Sequence, residues 1–217
     1  MHYQTRLSEV RIGPRVYQLH TIENVEVAID QMFAELESRG AEDLLEELCP
    51  YFGTLWPAGQ ALAEWVWAQG APAFAGRRVL ELGCGLALPS LVAAHLGAHA
   101  TASDLHPDVP AFLEKNLTAN PGLHVGYTAL DWRNGTVTET YDWILASDVL
   151  YERHHPESLV RFLSRSLGAT GRAVVFDPRR SFWEQAKEQA RHFGLSARAE
   201  ELDEGGVLLA FEPEKSA

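Results

Sequence analysis

The side chains best spaced for chemistry begin in one short stretch, Arg78 to Ser90, "RVLELGCGLALPS". An apolar run carries one carboxylate, Glu81, and leads into Gly83-Cys84-Gly85. Glycines at the end of a strand let the backbone approach a ligand with no Cβ in the way. A helix beginning near Pro89, a residue favoured in the first turn, would present free N–H groups behind them. Asp104 closes the next apolar run, roughly 20 residues further on, where a carboxylate can take the two hydroxyls of a ribose. The dinucleotide fingerprint is incomplete, because its third glycine position is Leu88. The loop therefore reads as a nucleoside site that does not favour NAD. A third acid, Asp148, ends the apolar run "YDWILASD". A carboxylate there is costly unless it is paired, used, or caps the following turn.

The surrounding pattern supplies elements to position these groups. From Gly76 onward, apolar runs of strand length alternate with helix-period segments. "RRVLEL", "AHATASD", "LHVGYTAL", "YDWILASD" and "GRAVVFD" read as strands. "PSLVAAHLG", "PDVPAFLEKNLTAN", "PESLVRFLSRSLG" and "SFWEQAKEQARHFG" read as helices. "SARAEEL" and "GVLLAFE" flank "DEGG", a hairpin signal. Such alternation implies a mostly parallel α/β sheet with helices on both faces and an antiparallel edge from the last hairpin. Upstream, "EVRI" and "RVYQL" flank Gly13-Pro14 as a hairpin, and "VEVAIDQMFAELES" and "AEDLLEEL" read as helices. Residues 1–50 are thus expected to form an arm packed on a catalytic domain of residues 51–217.

Bulk properties exclude several functions. A composition of 46% apolar and 22% charged residues over 217 residues suits a folded domain, with disorder expected only in the tail "PEKSA". Thirty acids against 18 lysines and arginines leave a formal charge of −12, which argues against nucleic acid as partner and suits a neutral or basic substrate. Two cysteines form no disulfide framework, and no signal peptide opens the chain, so a reducing cytoplasmic location is expected. Leu82 to Ser103 lacks Asp, Glu, Lys and Arg, yet its glycines, histidines and Pro89 break it as a membrane span. The adjacent His154 and His155 should point apart, so no metal is expected. Cys84 reads as a small packing residue, with no base nearby in sequence to activate it.

The "E-x-G-x-G" of Glu81, Gly83 and Gly85 resembles the first motif of seven-strand S-adenosylmethionine-dependent methyltransferases. "GTLWPAGQALAEW", "ALDWRN" and "ASDVLY" resemble further motifs of the protein-lysine methyltransferase branch of that superfamily, whose bacterial members were once labelled predicted nicotinamide N-methylases. The resemblance covers residues 50–167 and departs mildly at Ala87, where the family often has glycine. It implies a Rossmann-like three-layer αβα sandwich with seven strands, and S-adenosylmethionine as cofactor. By the same resemblance, Trp56 would line the cofactor pocket, Gly83, Cys84 and Gly85 would pass beneath it, and Glu81 would belong to the cofactor site, hydrogen-bonding within the loop or near the cofactor's amino-acid moiety. Asp104 would hold the ribose with Leu105 beside the adenine, Asp131 and Trp132 would flank the base, and Ala146 would touch the cofactor. Asp148 and Tyr151 match a D-x-x-Y motif at the methyl-transfer site. The implied reaction is N-methylation of a protein lysine. The alternatives are methylation of a small amine or nicotinamide-like heterocycle, or a silent cofactor-binding module. A monomer is the expected state.

Overall fold

The computed structural model describes residues 3–41, 44–202 and 205–214. Glu42 and Asp43 of the second expected helix, Asp203 and Glu204 of the last hairpin turn, and the final three residues of the tail lie outside that description.

Seven strands form one sheet in the order β5-β4-β3-β6-β7-β9-β8. They are β3 (Arg78–Leu82), β4 (His99–Asp104), β5 (Val125–Ala129), β6 (Tyr141–Ser147), β7 (Leu167–Asp177), β8 (Leu195–Glu201) and β9 (Val207–Pro213). β3 to β7 pair in parallel, whereas β9 pairs antiparallel with both β7 and β8. The chain runs outward from β3 through β4 to β5 and then returns to lay β6 on β3's other side. That reversal creates the topological switch at which open α/β sheets bind ligands.

Side chains alternate across the sheet. Along β6, Trp143 and Leu145 enter one core cluster, and Ile144 and Ala146 the other. The first core packs under α3 (Pro57–Gln69), α5 (Leu88–His95) and α6 (Val109–Ala119), and the second under α7 (His155–Ser166) and α8 (Trp183–Gln189). Burial of both faces explains the near-continuous apolar runs in the sequence. Two boundaries differ from expectation. β7 begins at Leu167, four residues early, because its register with β6 shifts between Tyr141 and Trp143. The last expected helix narrows at Ala190 into a 3-10 turn closed by left-handed Gly194.

Upstream, β1 (Thr5–Ile12) and β2 (Arg15–Ile22) form a separate two-stranded sheet. α1 (Val25–Arg39) starts under an Asn24 side-chain cap and stops at left-handed Gly40. α2 spans only Leu45–Leu48, and a 3-10 turn at Pro50–Gly53 follows. A one-turn α4 (Ala71–Phe74) leads into β3. Asn116 of α6 and Asn120, which closes that helix, replace a neighbouring strand at the free edge of β2. Asn120 accepts from the Gln18 N–H at 3.0 Å and donates to its carbonyl at 2.7 Å, and Asn116 accepts from the His20 N–H at 2.7 Å. Asn116 also donates to the Leu86 carbonyl at 3.2 Å, which ties the hairpin to the glycine loop. No helix among the described residues is long and apolar enough to cross a membrane.

Candidate active site

The carboxyl ends of β3, β4 and β6 meet beneath the turn Pro50–Gly53 and the first turn of α3. Gly83 and Gly85 adopt φ of 59° and 50°, which favour glycine. A Cβ on Gly85 would lie 3.1 Å from the Phe52 carbonyl oxygen, so the Pro50–Gly53 turn packs directly on the loop. Gly83 is exposed on the loop's outer side. Ala87 follows in the same left-handed region at φ 59°, a strained choice for a residue with a Cβ.

Glu81 is fully buried. β3's alternation sends it toward α5, between Leu80 and Leu82 on the opposite face, and there it accepts the Ser90 N–H at 2.8 Å and the Ser90 hydroxyl. Burial pushes its pKa up to about 8. The carboxyl therefore ties the glycine loop to the helix behind it. On β4, Ser103 supports the same turn: its hydroxyl donates to the Glu81 carbonyl at 2.6 Å, and its carbonyl accepts the Cys84 N–H at 2.9 Å. Cys84 is buried against the first core, and burial raises its pKa far above the usual thiol value, so it is no nucleophile.

Asp104 stands at the end of β4 with one oxygen on the Gly85 N–H and the other on the His106 N–H, both at 3.0 Å. Each oxygen keeps a further acceptor position. His106 is buried, with its Nδ1 accepting the Asp108 N–H at 3.1 Å. Its Nε2 therefore carries the proton and donates to the Leu48 carbonyl at 3.1 Å, a second tie between arm and site. Three large apolar side chains near this rim stay exposed: Trp56 at 38%, Leu105 at 41% and Tyr151 at 54%. Trp56 is oriented by its Nε1–H, which donates to the Tyr51 carbonyl at 3.0 Å. Gly59, three residues along, lies against Ser147 at the end of β6.

Asp131 and Trp132 follow β5. The Asp131 carboxylate is engaged by Arg133 through Nε at 2.7 Å and Nη2 at 3.2 Å, and by Asn134 at 3.2 Å. Trp132 is buried in the second core with its ring edge-on to His155, 5.2 Å between centroids. Ala146 is buried in β6 opposite Leu82.

Asp148 leaves β6 in the left-handed region, φ 57°, with its N–H donating to the Phe176 carbonyl at 2.9 Å. Its carboxylate is held by both Nε and Nη2 of Arg180, the latter at 2.9 Å. The Arg180 N–H in turn donates to Asp177 at 2.6 Å, a buried acid whose pKa burial raises to about 6. Sequence reasoning missed Arg180. Its only trace was an arginine pair two residues after the acid that ends β7, and nothing local said that it would reach across to β6. Ser90 and Phe52 were missed for the same reason, since each acts through a tertiary contact.

A cavity of about 650 Å³ lined by Arg78, His99, His124 and Tyr141 lies at the opposite, amino edge of the sheet, away from these groups.

The strand order and the glycine loop define a Rossmann-like methyltransferase fold. Over 97% of this chain and 51% of the other, the structure superposes on the Thermus thermophilus 16S rRNA N2 G1207 methyltransferase RsmC at a TM-score of 0.68 with 19% identity. Residues 44–195 match the profile of the lysine methyltransferase family, and the chain belongs to that family. It is 29% identical over 163 residues to the electron transfer flavoprotein beta subunit lysine methyltransferase of Danio rerio, covering 72% of this chain and 62% of that one. Against the histone-arginine methyltransferase METTL23 of Xenopus laevis it is 30% identical over 189 residues, covering 81% and 75%. The chain thus spans less than two thirds of the length of the zebrafish relative.

Proposed function

We propose that this protein transfers a methyl group from S-adenosylmethionine to a side-chain nitrogen of a protein, with lysine as the first-choice acceptor. The observation that carries the proposal is the junction of the Gly83–Gly85 loop with Asp104: positive-φ glycines beside a carboxylate that still has an acceptor position on each oxygen. Those free acceptor positions fit the two hydroxyl donors of a ribose cis-diol. Leu105 and Trp56 would cover the apolar parts of the cofactor, with the Cys84 and Ala146 backbones beneath it. Asp131 and Trp132 would border the base. The Asp131 carboxylate already accepts from the Arg133 N–H, Nε and Nη2 and from Asn134, two bonds to each oxygen, so contact with the exocyclic amine would have to displace one of them.

When bound, the sulfonium supplies an electrophilic methyl group, and the protein's task is orientation and electrostatics. A lysine acceptor must first lose a proton, since its free pKa of about 10.4 leaves only about one in 10³ neutral at pH 7. Desolvation beside a positive charge lowers that value. Asp148 would align the amine and pass its proton to solvent, while Tyr151 would pack along the aliphatic stem. Arg180 now sits where a cationic acceptor would bind, so the acceptor competes with it for Asp148. The fork of Arg180 on Asp148 also supports a second reading, in which the acceptor is an arginine. The two free cysteines suit a reducing compartment, consistent with a cytoplasmic protein.

The test is incubation of the purified protein and tritiated cofactor with a methyl-depleted cell extract, followed by acid hydrolysis. Label in methyl-lysine supports the first reading, and label in methyl-arginine the second. Label confined to small molecules, or absent altogether, rejects protein methylation.

A further inference from the structure

Next to the acceptor side of the site, three donor side chains converge where the sequence expects two histidines to diverge. His154 is the residue preceding α7, and the chain bends there, so that its ring centroid comes within 4.7 Å of His155. Glu152, two residues before the bend, turns one oxygen toward both. Its Oε2 lies 3.4 Å from His154 Nδ1 and 3.6 Å from His155 Nε2. The three ligand atoms all fall within 4.8 Å of one another.

His155 supplies a second and independent observation. Its side chain is fully buried, and neither ring nitrogen makes a well-formed hydrogen bond, the nearest backbone group being that of Val149. Two buried polar atoms without well-formed bonds are costly. Tyr151 and Trp132 pack edge-on against the ring, at 4.6 and 5.2 Å between centroids, and fix its plane. The separations between Glu152 and the two histidines exceed hydrogen-bond length. They approach the edge of a tetrahedron around zinc, where donors about 2.0–2.2 Å from the metal stand about 3.3–3.5 Å apart. The neighbouring guanidinium of Arg133 is already neutralised by Asp131.

We infer that Glu152, His154 and His155 form a site for a borderline divalent cation of the zinc type, bound through Oε2, Nδ1 and Nε2. The donor set is two imidazoles and one carboxylate, which suits zinc and not magnesium or calcium. His154 and Glu152 reach solvent, so the fourth position is left to water. Bound metal would clamp the segment after β6 to the first turn of α7 and hold the Tyr151 ring that packs on His155. The site does not depend on the methyltransferase reading.

Protein stripped with a chelator is titrated with zinc by calorimetry and with cobalt by visible absorption, alongside a separate titration with S-adenosylhomocysteine. One equivalent of zinc is expected, with the strong visible bands of four-coordinate cobalt. Because His155 is buried and its replacement risks the fold, the two surface ligands carry the test. His154→Asn and Glu152→Gln should each weaken zinc by more than about a hundredfold, beyond the roughly 10–100-fold typical of changing an outer partner. His124→Asn, at the far edge of the sheet, should leave it unchanged. Absence of zinc binding, undiminished affinity in either ligand variant, or a loss in His124→Asn instead would overturn the site. Failure to bind S-adenosylhomocysteine alone would reject the cofactor reading and leave the metal site standing.

Discussion

At the residue scale, chemistry and support divide between acids in different surroundings. Asp148 lies mostly covered under Arg180, its side chain 13% exposed, whereas Glu81 is sealed inside the fold. Replacing Asp148 by Asn should depress methyl transfer at least tenfold while S-adenosylhomocysteine binds within about twofold of wild type, because only transition-state alignment is removed. Equal loss of cofactor affinity would place Asp148 in the cofactor's shell instead. Glu81 makes a prediction of opposite kind. Its folded pKa lies above the ordinary carboxylate value, so the folded state holds a proton that the unfolded chain has released. Its stabilising contribution is therefore complete below about pH 4.5, declines as pH rises, and is gone above about pH 8. Asp177 adds the same sign in the lower part of that window. Urea unfolding from pH 5 to pH 9 should show stability falling by about a few kcal/mol, and Glu81→Gln should flatten the curve. A curve just as steep in the variant would assign the effect elsewhere.

At the scale of elements, much was legible because periodicity and breakers act locally. The strands from β3 to β9 and the βα turns announced themselves through apolar runs ended by Gly, Pro and Asp. That Gly83, Gly85 and Asp104 meet at one edge of the sheet could be read for the same reason, since a single turn and two strand ends determine their neighbourhood. Arg180 on Asp148, Phe52 on Gly85 and the convergence of Glu152 with two histidines could not be read, because each joins segments whose mutual distance depends on packing. Asn116 and Asn120 belong with these: in sequence they look like solvent-facing helix residues, yet Asn116 is fully buried. Asn116→Ala would strand the His20 N–H and the Leu86 carbonyl, at a cost of about 1–3 kcal/mol for each group left unpaired. Chemical denaturation should register that loss, and S-adenosylhomocysteine affinity should fall with it, since the Leu86 carbonyl belongs to the glycine loop. Full stability in the variant would show that solvent replaces both bonds.

Over the whole molecule, the arm and the sheet enclose the site jointly. β2 docks on α6, the Pro50–Gly53 turn lies on Gly85, and Leu48 anchors His106, so the rim is built by segments far apart in sequence. The formal charge of −12 gives the whole molecule a net negative field, which suits capture of a cationic acceptor. Transfer to a basic peptide at limiting concentration should slow as ionic strength rises through about 0.1 M, where the screening length shrinks to about 10 Å. Insensitivity to salt would mean that acceptor capture relies on apolar contact. Everything functional depends on the cofactor crevice at the switch between β3 and β6, and calorimetric titration with S-adenosylhomocysteine tests it directly. Wild-type protein should bind one equivalent, and Asp104→Ala, with an unchanged far-ultraviolet circular dichroism spectrum, should bind at least about tenfold more weakly, the loss of one or two charge-assisted hydrogen bonds. A folded wild-type protein that gives no binding heat at any temperature, or an Asp104→Ala variant that binds as tightly as wild type, would contradict it.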